Sequence, residues 1–117
     1  MKAELSIFPG PLSARKADSV EIVIKIDSTR EVPMWYEADV KLPPALSLSQ
    51  TGMVNNGRVR IGICEPRGSL SKGIKVYSSH NTPPQLYKCD VAIFAYDEQA
   101  NQKDRMDLYV QLRCENK

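Results

Sequence analysis

Several segments of this chain alternate apolar and polar side chains with a period of two residues, and this alternation limits the fold more than any other feature. In residues 20–26 every second side chain is β-branched and apolar, and Glu21 and Lys25 lie between them. A period of two in such residues predicts a half-buried β-strand. The same pattern recurs in four more segments, 36–42, 59–63, 89–95 and 106–112.

Weaker strands are predicted at residues 3–7 and 74–78, which brings the number of strands to about seven. The breaks between strands contain turn-forming sequences, which are Pro9-Gly10-Pro11, Asn55-Asn56-Gly57, Gly68-Ser69 and Pro83-Pro84. Residues 12–20 are predicted to form a turn or a single helical turn before the second strand. Short strands with one polar face predict an all-β antiparallel sandwich. We expect a single domain over residues 1–117.

Composition excludes several classes of protein. The 117 residues are 42% hydrophobic and 26% charged, which is enough apolar material for one core, and the net charge is +2. That charge is too small for bulk attraction to nucleic acid or to a membrane surface, and no apolar run is long enough to span a bilayer. The amino-terminal residues lack the apolar stretch of a signal peptide.

The cysteine content bears on the cellular compartment. Cys64, Cys89 and Cys114 form an odd and sparse set, unlike the dense, even sets of small secreted domains. We therefore expect a reduced, cytoplasmic protein, or an extracellular one if the chain is excised from a larger surface protein. Whether two of the three form a disulfide is left open by the sequence.

Several segments resemble immunoglobulin-like modules, and the resemblance covers nearly the whole chain. Residues 16–20 are similar to the entry into the second strand of such modules, and residues 40–46 to their "v-x-L-P-x-g-L" segment. Tyr87, two residues before Cys89, is similar to the tyrosine corner. The wider likeness is to prokaryotic adhesion-related and fibronectin type III-like modules. It implies a non-enzymatic spacer or binding unit.

The sequence contains no convincing catalytic or cofactor motif. His80 is the only histidine, in a polar loop, and neither a phosphate-binding loop nor a dinucleotide fingerprint occurs. We predict no enzyme activity, no cofactor and no metal site. The alternative is a small metal- or thiol-dependent hydrolase centred on His80, with a cysteine or nearby carboxylates.

A calcium site was the strongest metal alternative. Asp97, Glu98, Asn101 and Asp104 offer four oxygen ligands in one loop. Lys103 and Arg105 lie among them, and a solvated loop is the favoured interpretation.

Aromatic residues on one sheet face are the best functional candidates. In an immunoglobulin-like sandwich the third, sixth and seventh strands are neighbours, and alternation places Trp35, Phe94, Tyr96 and Tyr109 on their outward face. If Phe94 opposes Tyr109, the two rings form a cross-strand pair. We predict a protein-interaction or self-association surface here, with a protein partner or a second copy as occupant. Nucleic-acid binding and membrane insertion are disfavoured, and the other non-enzymatic alternative is a structural spacer from a larger surface protein.

Overall fold

The computed structural model describes residues 1–117 and consists entirely of strands, turns and loops. It contains no helix that could cross a membrane. The strands are β1 (Lys2–Phe8), β2 (Leu12–Ser13), β3 (Asp18–Asp27), β4 (Met34–Lys41), β5 (Asn56–Cys64), β6 (Ser69–Ser78), β7 (Gln85–Tyr96) and β8 (Gln102–Glu115).

Two sheets pack face to face. The three-stranded sheet has the order β1-β3-β6, and the five-stranded sheet has the order β2-β8-β7-β4-β5. The predicted all-β sandwich is confirmed, and so is the adjacency of the third, sixth and seventh predicted strands, which are β4, β7 and β8. The prediction of a turn or a single helical turn over residues 12–20 is wrong at both ends. Leu12 and Ser13 form a short strand parallel to the end of β8, and β3 already begins at Asp18.

The core lies between the inward faces of the two sheets. It contains 22 buried residues, drawn from every strand except β1 and from the loops that close the ends. β3 contributes Val20, Ile22, Ile24 and Ile26, and β4 contributes Tyr36, Ala38 and Val40, as the alternation predicts. Burial of these side chains is the main favourable term in folding.

The tyrosine corner is present. The buried Tyr87 hydroxyl donates a hydrogen bond of 2.6 Å to the carbonyl oxygen of Pro83, which fixes the start of β7. Cys89 lies two residues further on and is buried without a disulfide partner. All three cysteines are free and buried.

Strand β5 departs from simple alternation. The pairing of β5 with β4 contains a bulge, and Gly62 there has a φ of +138°, a conformation that favours glycine. A bulge reverses the side-chain alternation beyond it. The prediction that Ile63 faces inward is therefore wrong: its side chain is outward and 58% exposed, while Cys64 takes the inward position.

Candidate functional site

The outward face of the five-stranded sheet is organised in rows that run across β5, β4, β7 and β8. The register places Ile63, Trp35 and Tyr96 side by side in the first row. The remaining rows follow along the strands. They are Arg60-Glu37-Phe94-Arg105, Arg58-Asp39-Ala92-Asp107 and Asn56-Lys41-Asp90-Tyr109.

Phe94, in the second row, is covered by arginines of its own chain. The guanidinium carbons of Arg58 and Arg105 lie 4.5 Å and 5.1 Å from its ring centroid, and Phe94 is only 6% exposed. Its ring also stacks on Tyr96, with 6.5 Å between the centroids. Phe94 therefore packs the surface and is not itself available to a partner.

Arg58 ties three strands together across this face. Its Nε lies 2.6 Å from the carboxylate of Asp39, and its NH1 atom donates hydrogen bonds to Glu37 (3.4 Å) and to the Tyr96 hydroxyl (3.2 Å). The pKa of the Arg58 guanidinium is raised, first by the hydrogen bond to Tyr96 and further by the nearby carboxylate of Asp39. Arg58 thus holds Tyr96 in place.

A cleft of about 600 Å³ opens at the first row, and we call it the Trp35 cleft. Trp35, Tyr96, Ile63, Met34 and Pro33 supply its apolar and aromatic lining. Ligand sites are usually concave and mostly apolar, with a few polar groups that fix orientation. The cleft has this character.

Carboxylates supply the polar part of the Trp35 cleft, from Glu37, Asp97 and Glu98. The indole Nε1 of Trp35 donates a hydrogen bond of 2.7 Å to Glu37, which fixes the orientation of the ring. Glu98 is exposed and forms neither a hydrogen bond nor an ion pair within the chain. The cleft therefore combines oriented aromatic rings with a free carboxylate.

The loop between β7 and β8 forms one wall of the cleft, and Asp97 determines its shape. An Oδ1 atom of Asp97 accepts hydrogen bonds of 2.9 Å from the backbone N–H groups of Gln99 and Asn101. The hydrogen bond from Asn101 is the main reason that the pKa of Asp97 is lowered. Oδ1 is therefore occupied by hydrogen bonds within the turn, and the Nζ of Lys103 lies 3.6 Å from Oδ2. This geometry favours the solvated loop over the calcium alternative.

Tyr109 lies away from the other predicted site residues. It is 61% exposed, with the Nζ of Lys88 4.8 Å from its ring centroid. Its row is the third after that of Trp35, so the two are about 20 Å apart at the usual rise per residue.

The predicted cross-strand pair of Phe94 with Tyr109 is wrong. Arg105 opposes Phe94, and Asp90 opposes Tyr109. The reason is the tight turn that follows β7, in which the N–H of Asp97 donates to the carbonyl of Asn101. That short connection and the register shift between Ala95 and Tyr96 together fix the register of the hairpin.

The residues of the hydrolase alternative do not form a reaction centre. His80 is exposed in the turn between β6 and β7. Burial raises the pKa of Cys64 and Cys114 and raises that of Cys89 to about 12, so all three favour the unreactive thiol. No cluster of three or more His, Cys, Asp or Glu side chains is placed to hold a metal ion.

Sequence reasoning missed Ile63 as part of the site. Its inward assignment followed from strict alternation, whereas the bulge places it beside Trp35. A glycine inside a run of β-branched residues often marks a bulge, and Gly62 carried that signal.

No protein-family model and no curated protein matches this chain. Among solved structures, it resembles a non-cellulosomal cohesin from the hyperthermophilic archaeon Archaeoglobus fulgidus. The TM-score is 0.57 and the identity 18%, over 99% of this chain and 93% of the cohesin chain.

Two other solved structures are similar at lower TM-scores. One is a family 123 glycoside hydrolase from Clostridium perfringens (TM-score 0.49, 12% identity, 98% of this chain and 28% of that one). The other is a protein from Archaeoglobus fulgidus (TM-score 0.43, 10% identity, 96% and 93%). The cohesin is an immunoglobulin-like sandwich, which agrees with the fold class predicted for this chain. The narrower predicted likeness to adhesion-related and fibronectin type III-like modules stays a prediction.

Proposed function

We propose that this protein is a non-catalytic protein-interaction module that docks a partner on the outward face of its five-stranded sheet, at the Trp35 cleft. The observation that carries the proposal is the first row of that face. Ile63, Trp35 and Tyr96 together line an open apolar cleft, although a solvated sheet face needs no such row.

The rest of the face supports this location, because its charges are largely satisfied internally. Arg58 pairs with Glu37 and Asp39, Arg105 with Asp107, and Lys88 with Asp90. Exposed pairs of this kind add little to binding energy, whereas Trp and Tyr are enriched at interface hot spots. We therefore assign the binding role to Trp35 and Tyr96, with Phe94 as a support for Tyr96 and Tyr109 as a peripheral contact.

The fold is compatible with a binding role. The cohesin that it resembles is a non-enzymatic interaction module. The structural likeness to the cohesin concerns the fold alone. The support for a docking site comes from the Trp35 cleft.

Selection from a library of displayed proteome-derived peptides, with the whole chain as bait, tests the proposal. We expect the enriched peptides to lose binding to Trp35→Ala by about 2 kcal/mol, the size of an interface hot spot. The matched control is Phe8→Ala, because Phe8 is 64% exposed at the end of β1 in the other sheet. It should bind like the unmodified chain.

Sedimentation equilibrium addresses the second occupant, another copy of the chain. A dimer that Trp35→Ala dissociates and Phe8→Ala preserves would also support the proposal. Enriched peptides that bind Trp35→Ala undiminished would contradict it, as would a monomer that enriches no peptide.

A further inference from the structure

Aromatic rings on the outward face of the five-stranded sheet are paired with cations of the same chain. Phe94 lies between Arg58 and Arg105, and Lys88 lies over Tyr109. The guanidinium carbon of Arg60 is 5.6 Å from the Trp35 ring centroid. Cation–π attraction of this kind is strongest for Trp and Tyr faces that are partly shielded from water.

Tyr96 differs from the other rings of this face. It stacks on Phe94, and its hydroxyl accepts a hydrogen bond from Arg58, but no cation lies over its ring. It lines the Trp35 cleft opposite Trp35, from the neighbouring strand. The cleft is therefore the one place on this face where an aromatic ring lacks a cation.

The charged side chains that line the cleft are all acidic. Glu37, Asp97 and Glu98 contribute carboxylates, and no lysine or arginine lines it. Glu37 and Asp97 already accept hydrogen bonds from their own chain, whereas Glu98 is exposed and unpaired. Asp97 is ionised at neutral pH, as an ordinary carboxyl group is, and the hydrogen bond from the backbone N–H of Asn101 lowers its pKa further. Arg58 pairs with Glu37, and Lys103 lies near Asp97, so Glu98 is the one carboxylate of the lining without a cationic partner. A positively charged ligand group complements it.

We propose that the Trp35 cleft binds an arginine side chain of the protein partner; this rests on the proposed docking role of the same face. A guanidinium is planar, so it stacks on Tyr96 while its donors reach the carboxylate of Glu98. The aliphatic stem of an arginine packs on apolar surface, which Ile63 and Pro33 provide. Arginine is therefore a better complement than lysine, whose ammonium is a compact and strongly hydrated point charge.

The test uses two small probes and one spectroscopic signal. The probes are the N-acetyl, N-methylamide derivatives of arginine and of citrulline, which has a neutral urea in place of the guanidinium. The signal is the indole N–H resonance of Trp35, the only tryptophan. We expect the arginine probe to shift this resonance saturably and the citrulline probe to bind about tenfold more weakly, the combined size of one exposed ion pair and one cation–π contact.

Two variants locate the effect. Glu98→Gln should weaken binding of the arginine probe about threefold, the size of one exposed ion pair. Glu4→Gln, at an exposed position of β1 without an ion pair, should leave binding unchanged. Equal binding of both probes, no saturable shift, or a shift that Glu98→Gln does not reduce would overturn the proposal.

The displayed peptides separate this inference from the proposed function. If they require Trp35 and contain an essential arginine, both hold. If they require Trp35 but tolerate replacement of every arginine by citrulline, the arginine assignment fails and the docking role stands. A shift of the indole resonance with protein concentration alone would instead identify a second copy as the occupant and overturn the assignment to a separate partner.

Discussion

The outward faces of the two sheets differ in composition, although both cover the same core. On the three-stranded sheet the outward residues of β3 and β6 include serines, Gly73, Val23 and the directly opposed pair Glu21 and Lys75. On the five-stranded sheet the outward face carries Trp35, Phe94, Tyr96 and Tyr109. The first face carries only Phe8 and Tyr77 as aromatic residues, and they lie on the non-adjacent strands β1 and β6. The second face instead brings Trp35 and Tyr96 side by side on neighbouring strands, and this grouping is the difference that the proposed docking role would explain.

The largest expected loss of stability comes from shortening an inward isoleucine, and the comparison is with an outward one. Ile24→Ala removes a fully buried side chain between the sheets and should lower the free energy of unfolding by about 3 kcal/mol. Ile63→Ala, at the cleft, should lower it by less than about 0.5 kcal/mol while weakening peptide binding. Urea unfolding measures both changes. Equal losses of stability would mean that Ile63 is a core residue.

The bulge that exposes Ile63 provides the next test. Gly62→Ala forces a side chain onto a backbone φ of +138° and should cost about 2 kcal/mol, together with loss of cleft binding. Gly52→Ala is the matched control, because nothing lies within 4 Å of the added methyl group and no strained φ is present there. A harmless Gly62→Ala would show that the bulge does not depend on glycine.

Two inward tyrosines test whether buried aromatic residues serve structure alone. Tyr87→Phe removes the hydrogen bond to Pro83 and should lower the free energy of unfolding by about 1 kcal/mol. The Tyr36 hydroxyl is buried near Ser28 but forms no hydrogen bond of normal geometry, so Tyr36→Phe should leave stability unchanged or raise it slightly. Neither change should alter peptide binding. If Tyr36→Phe lowered the free energy of unfolding as much as Tyr87→Phe, the Tyr36 hydroxyl would not be an unpaired group.

The smallest expected effect concerns acid stability and compares one carboxylate from each region. Burial acts to raise the pKa of Asp18, but hydrogen bonds from Ser13 and Ser19 outweigh it and lower the pKa below 3.8. The pKa of Asp97 is lowered by the N–H of Asn101. A carboxyl group whose pKa falls on folding stabilises the fold above its unfolded pKa, and this contribution is lost as the pH falls below about 4.

Unfolding at neutral and at acid pH measures this contribution. Asp18→Asn and Asp97→Asn should each be less stable than the unmodified chain near pH 7, and the difference should shrink in acid. Only Asp97→Asn should change the Trp35 fluorescence, because Asp97 shapes the wall of the cleft. A difference that grows in acid would contradict the sign of the effect.

The sequence predicted the layers of the fold more fully than the site. Strand alternation identified the core of β3 and β4, and Tyr87 with Cys89 indicated the tyrosine corner, because both signals are local in the chain. Alternation also indicated that the outward face of the five-stranded sheet carries Trp35, Phe94, Tyr96 and Tyr109. The distances along that face depend on the strand register, which the turn at Asp97 and the register shift beside Tyr96 determine, and on the bulge at Gly62. Neither follows from alternation, so the grouping of Ile63 with Trp35 and Tyr96 required the structure.

The docking face is tested most directly by mapping where a bound peptide perturbs the protein. Backbone amide chemical shifts of the whole chain would be recorded with and without the tightest displayed peptide. Docking at the Trp35 cleft predicts the largest changes in β4, β5 and the loop after β7, together with the Trp35 indole, and little change in β1, β3 and β6. Largest changes on the three-stranded sheet would contradict it.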